Sequence, residues 1–153
     1  MASLTLLSRS HAVLTLDQIR AALDRAFPGV FVPPNDASFV VEDGDGPRLI
    51  KSLAPGAKGI FLFHNEAGMT DAAEDVADVE LSRFIRRPHG RTSIDTIQSI
   101  GGEVEAYRFA AKVLAQLAPS DAAFLLDPSK GAKPLDEKVL SLLRAGHDPF
   151  AVQ

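Results

Sequence analysis

A chain of 153 residues, 46% hydrophobic and 24% charged, has the size and composition of one globular domain and is too apolar for a disordered one. It contains no cysteine, which excludes a disulfide scaffold, a thiolate zinc site and a cysteine nucleophile. The net charge of −4 gives no global attraction for nucleic acid or anionic lipid, so such binding would need a local patch.

The opening MASLTLLSRSHAVLT holds one arginine and no sustained apolar core; it reads as a strand over Leu4–Leu7 and a loop, not as a signal peptide. Thr15 is an N-cap candidate, with Gln18 three residues later completing a capping box. Leu16, Ile19, Ala22, Leu23 and Ala26 then mark one helical face, and Pro28-Gly29 stops the helix. Phe39-Val40-Val41 is a strand, Asp43-Gly44-Asp45-Gly46 a hairpin turn, and Arg48 to Leu53 pairs back. Pro55-Gly56 turns again into a strand from Gly59 to Phe63, so three strands make an antiparallel meander.

Asp71 to Ile85 is predicted helical, with Val76, Val79 and Phe84 facing inward. Thr92 to Ile97 alternates as a strand, Ser93 and Asp95 on one side and Ile94 and Thr96 on the other. Glu103 to Leu117 is the clearest helix, with Val104, Tyr107, Ala111, Leu114 and Ala118 at helical spacing. Ala122 to Leu126 is an apolar strand, Asp127 to Lys133 a turn, and Leu135 to Leu143 a last helix ended by Gly146. The order β-α-β-β-β-α-β-α-β-α predicts one α+β domain over residues 1–153, a mostly antiparallel sheet with helices packed over it. Segments 3–41 and 92–126 share a strand-helix-strand make-up, which admits a ferredoxin-like pseudo-repeat.

SID at 93–95, EAYRFAAKVLAQLAP at 105–119, DAAFLLDPS at 121–129 and PLDEKVLSLLRAGHDPF at 134–150 follow one another in a suggestive order. In that order the chain resembles the bacterial domain of unknown function numbered 4261 and its relatives. The shared pattern is a serine-aspartate strand, a helix rich in tyrosine and alanine, a short strand with a proline-containing loop, and a helix closing in aspartate-proline. The chain departs from it before residue 92, where His89-Gly90-Arg91 stands in place of the usual aromatic. The resemblance implies no activity, so it assigns no catalytic role to any residue.

His64 and Glu66, at a predicted strand end, are residue types that acid–base chemistry uses, and Asp95 and His89 are further candidates. The competing expectation for His64, Asn65 and Glu66 is a strand that ends at Phe63 and surfaces. Asp95, a carboxylate inside a strand, has to face water or find a partner such as Arg91 or Arg108. His11, His64, His89 and His147 are scattered without metal-ligand spacing, and no glycine-rich stretch meets a nucleotide-loop pattern, so no metal and no cofactor is expected. Acids at Asp71, Glu74, Asp75 and Asp78 precede basic residues that include Arg86 and Arg87. The helix dipole favours that arrangement, and it also offers an acidic face to a basic protein partner. RRPHGR lacks the interleaved aromatics of a nucleic-acid contact.

The leading functional expectation is a non-catalytic protein-interaction domain of adaptor or immunity type, bacterial by its resemblance. The alternative is a hydrolase or small-ligand enzyme using His64, Glu66, Asp95 and His89. The longest strongly apolar run, Ile60 to Phe63, is far below the ~20 residues of a bilayer span. A cytoplasmic protein, monomeric or a small homo-oligomer, is the matching expectation.

Overall fold

A computed structural model describes residues 3–10, 15–28, 39–42, 48–54, 59–68, 79–87, 89–99 and 102–151. The elements in chain order are β1 (Ser3–Ser8), α1 (Leu16–Ala26), β2 (Phe39–Glu42), β3 (Arg48–Ala54), β4 (Gly59–Gly68) and α2 (Val79–Ile85). They continue with β5 (His89–Ser99), α3 (Glu103–Leu117), β6 (Ala122–Asp127), β7 (Gly131–Pro134) and α4 (Glu137–Arg144). The class is α+β, as the sequence predicts.

The strands form one seven-stranded sheet in the order β2-β3-β4-β5-β1-β6-β7, and every neighbouring pair is antiparallel. The predicted meander is present as β2-β3-β4; its two turns, DGDG and Pro55-Gly56, lie outside the described residues. β5 and β6 both run against β1, so they are parallel to each other, and α3 connects them over the strand between. That is a split β-α-β unit. β2 lies beyond β3, β4 and β5 from β1, so residues 3–41 form no equivalent unit and a ferredoxin-like pseudo-repeat of the two segments is not established.

Alternation along β1 sends Leu4 and Leu6 to one face of the sheet and Leu7 to the other. On the first face, Leu4, Leu6, Phe63, Ile94 and Leu125 pack against α1, α3 and α4 through Ile19, Leu23, Leu114 and Leu143. Arg25 joins α1 to α3 by donating from Nε to Gln116 Oε1 at 3.1 Å, and the Phe27 and Phe109 rings stack at 5.5 Å. On the second face, Leu7 and Phe124 meet Leu81 and Ile85 of α2. The half-buried Phe84 adds an edge contact to Phe124 at 5.3 Å. Burying an aliphatic or aromatic side chain of this size contributes roughly 1.5–3 kcal/mol, so these two layers are the main source of stability.

Helix starts follow local chemistry. Thr15 Oγ1 accepts from the Gln18 amide at 3.2 Å while Gln18 Oε1 accepts from the Thr15 amide at 2.8 Å, which is the predicted capping box. Asp136 caps α4 by accepting from the Val139 amide at 2.8 Å. Four expectations need correction. β4 does not end at Phe63: it continues through His64, Asn65 and Glu66 to Gly68, because the eleven-residue β5 offers it pairing that far. Residues 131–134 are not turn but the edge strand β7, paired with β6 from Phe124↔Pro134 to Asp127↔Gly131. Val79 and Val104, expected to face inward, are 63% and 81% exposed, each in the first turn of its helix. α2 instead buries Leu81 and Ile85. Val76 lies outside the described residues, and no helix among the described ones is long and apolar enough to cross a membrane.

Candidate functional site

The four residues of the enzymatic alternative do not meet at one point. His89 and Asp95 sit six positions apart on β5, about 20 Å of strand at ~3.4 Å per residue. On β4, His64 is registered opposite Ser93 and Glu66 opposite Arg91. Asp95 is half-buried and accepts a hydrogen bond from the Ser3 hydroxyl, its register partner on β1. Thr5 and Ser93 continue that cross-strand row at 2.8 Å, so the carboxylate has a structural partner of its own. Among the described residues no group of three or more histidine, aspartate or glutamate side chains could hold a metal. Asp71, Glu74, Asp75 and Asp78 lie outside the described residues.

Two concave sites among the described residues gather several charged and aromatic side chains. The first, about 390 Å³, opens between the start of α3, the β6–β7 turn and the segment after α4, and includes Tyr107, Asp127, Lys130 and Asp148. Tyr107, Asp127, Ser129, Lys130 and Asp148 satisfy one another there. Tyr107 donates to Asp148 Oδ1 at 3.1 Å, the Phe150 amide to the same oxygen at 2.9 Å, and Lys130 to Oδ2. The Lys130 ammonium also lies 4.5 Å over the Tyr107 ring, and Asp127 accepts from the Ser129 hydroxyl at 2.8 Å. Burial opposes ionisation of Asp148, but Lys130, the Phe150 amide and Tyr107 together hold its carboxyl below the ordinary range. Burial and the facing Asp148 push the Tyr107 phenol well above its ordinary value. The hydroxyl partner of Tyr107 is thus Asp148, which ties down the segment after α4. A network so complete reads as a latch.

The second site, about 530 Å³, lies where α2 crosses the second face of the sheet. Arg9 reaches it from the end of β1, Arg83 and Phe84 from α2, Arg87 from the turn after α2, His89 from the start of β5 and Phe124 from β6. Glu80 is the acid of its lining. Arg9 is positioned by a clamp: its amide donates to the Asp121 carbonyl at 3.2 Å, and Ser10 donates its amide (2.9 Å) and hydroxyl to the Asp121 carboxylate. The Ser10 hydroxyl bond, with Arg9 nearby, keeps that carboxyl below its ordinary range. Arg83 and Arg87 are exposed, and among the described residues neither has an ion-pair partner.

His89 is only 3% exposed. Its Nδ1 lies 2.8 Å from the Arg87 carbonyl oxygen, and since a carbonyl only accepts, Nδ1 carries the proton. The other nitrogen, Nε2, is buried and has no hydrogen-bond partner among the described residues. The Phe84 ring stands 5.6 Å from the imidazole. An unpaired buried polar atom costs on the order of 1–3 kcal/mol, so this one marks unused bonding capacity beside three cations. Two of the sequence candidates, Arg87 and His89, thus belong to one site, while Arg86 is exposed outside its lining. Arg83 stands in the same basic run as Arg87, whereas Arg9 and Phe124 are not legible as partners of that run, because only the sheet order brings positions so far apart in sequence together. Comparisons of the chain with protein-family models, curated proteins and solved structures found no match.

Proposed function

We propose that this chain is a non-catalytic protein-interaction domain, of adaptor or immunity type, that engages an acidic partner through the cleft between α2 and the sheet. The observation that carries this reading is the pair Arg83 and Arg87, exposed and without ion-pair partners among the described residues, at the rim of a cleft with an aromatic wall of Phe84 and Phe124. Arginine serves such a surface well, because its planar fork binds carboxylates in two contacts and keeps its charge at any physiological pH. The partner expected from sequence was basic, facing Asp71, Glu74, Asp75 and Asp78. Since those residues lie outside the described ones, the described surface supports an acidic partner instead.

A dye-labelled hexapeptide alternating glutamate and phenylalanine tests this by fluorescence anisotropy. The chain is expected to bind it, with affinity falling as salt rises. Arg83→Glu/Arg87→Glu should weaken binding roughly tenfold or more, equivalent to ~1.4 kcal/mol or more. Arg108→Glu/Lys138→Glu, two exposed charge reversals on α3 and α4, should behave as the same net-charge control without that loss. Equal losses in both variants, or no binding by the unaltered chain, would sink the proposal.

A further inference from the structure

We infer that the cleft reads the order of charges in its partner, taking an extended acidic segment with a lysine or arginine at one end, an inference that rests on the cleft being the binding site. Glu80, Arg83, Phe84 and Arg87 stand at i, i+3, i+4 and i+7, so they form one stripe along the α2 wall. The Arg87 amide donates to the Phe84 carbonyl at 3.2 Å, which carries the winding past Ile85 to Arg87. The helix dipole favours an acid early and arginines late, but it does not require them to share a face with an aromatic ring. Glu80 is exposed and, like the two arginines, has no ion-pair partner among the described residues. The wall therefore presents one carboxylate and then two guanidiniums, in a fixed sequence, over about 10 Å at ~1.5 Å of rise per residue.

Opposite stands the sheet wall of Ala123 and Phe124, to which Arg9 adds a cation, and the two walls touch where Phe84 meets Phe124 at 5.3 Å. Walls that meet at their floor leave a wedge, which admits a single extended strand more readily than a helix about 10–12 Å across. In an extended segment alternate side chains point to opposite sides, and same-side neighbours repeat every ~6.6 Å. Two such repeats span the stripe from Glu80 to Arg87. A basic side chain at one end of that row meets Glu80, and the two acidic ones beyond it meet Arg83 and Arg87. The intervening positions turn towards Ala123 and Phe124 and are apolar. An acid in the first place would face Glu80, and a basic residue in the second would face Arg83, so either mismatch is repelled. The three charged groups lie at the surface, so the segment docks without displacing Phe84.

The test titrates the full chain, in low salt at about pH 7, into dye-labelled hexapeptides read by fluorescence anisotropy. Three isomers of the alternating glutamate–phenylalanine peptide differ only in which glutamate is replaced by lysine, the first, the middle or the last. One end isomer is expected to bind roughly tenfold tighter than the middle isomer, and which end it is gives the direction of the bound segment. Glu80→Gln should weaken that isomer by roughly threefold and should strengthen binding of the all-glutamate peptide. Glu105→Gln, which removes an exposed acid on α3, should change neither. Equal affinity among the three isomers, or a Glu80→Gln variant that shifts both peptides the same way or not at all, would overturn the charge order. Binding of the all-glutamate peptide in that case leaves the acidic partner in place. Failure of every peptide to bind, the all-glutamate one included, would overturn both readings. Tighter binding of a thymidine oligonucleotide than of any peptide would overturn the choice of a protein partner.

Discussion

Asp148 answers to three donors at once, the Lys130 ammonium, the Phe150 amide and the Tyr107 hydroxyl, and all three favour its ionised form. Its carboxyl therefore releases its proton more readily in the folded chain than in the unfolded one. A group of that kind adds stability above the ordinary carboxylate value, about 3.9, and the contribution is lost as pH falls through the folded value. Thermal melts of the unaltered chain should thus drop more steeply below about pH 4 than those of Asp148→Asn, which has no carboxylate to protonate. Parallel declines would mean that other acids govern the transition. Helical spacing places Tyr107 on the apolar face of α3, where a hydroxyl turned from water needs a polar partner. Spacing does not show which, because Asp148 lies 41 positions away and is delivered by the turn after α4. The same limit held at the cleft: RRPHGR displayed Arg87 and His89 together, but Arg9 and Phe124 arrive through strand order alone.

At the scale of elements, local signals with a stereochemical cause were the legible ones. The Thr15–Gln18 box marked the start of α1, and the apolar spacing from Glu103 to Leu117 matched the bounds of α3. β7 is not legible in the sequence because GAKP has neither alternation nor β-branched residues, and becomes a strand only through its pairing with β6. Gly146 was legible as a stop for a stated reason. It adopts φ +78°, its amide donates to Leu143 O at 2.9 Å, and the His147 amide donates to Leu142 O at 2.9 Å, closing α4 in a Schellman motif. A Cβ there would also come within 2.7 Å of Arg108 Cγ on α3. Gly146→Ala should therefore destabilise the chain by about 1–3 kcal/mol in urea denaturation, the usual range for a side chain forced into left-handed backbone. A loss below ~0.5 kcal/mol would show that α3 and α4 can separate at this point without consequence.

For the molecule as a whole, protection should follow position in the sheet. β1 is flanked by β5 and β6, and Leu4, Leu6 and Leu7 are fully buried. β2 and β7 are edges with one partner each. Amide hydrogen exchange should be slowest along β1 and the facing part of β5, approaching the rate of global unfolding, and faster in β7 and α4. If α4 amides outlasted those of β1, the sheet would not be the last structure to open.

The central place of β1 also bears on how the chain comes off the ribosome. Leu4 pairs with Ile94, ninety positions later, and Leu6 with Leu125, later still. A strand made before both of its neighbours has no partner to zip onto while the intervening elements are translated, and closing loops of that length is slow. Three leucines destined for full burial are then in water through most of synthesis. Birth order and bonding order run opposite in this domain: the sheet can close around its first strand only after β6 has emerged, and until then those leucines are open to wrong contacts.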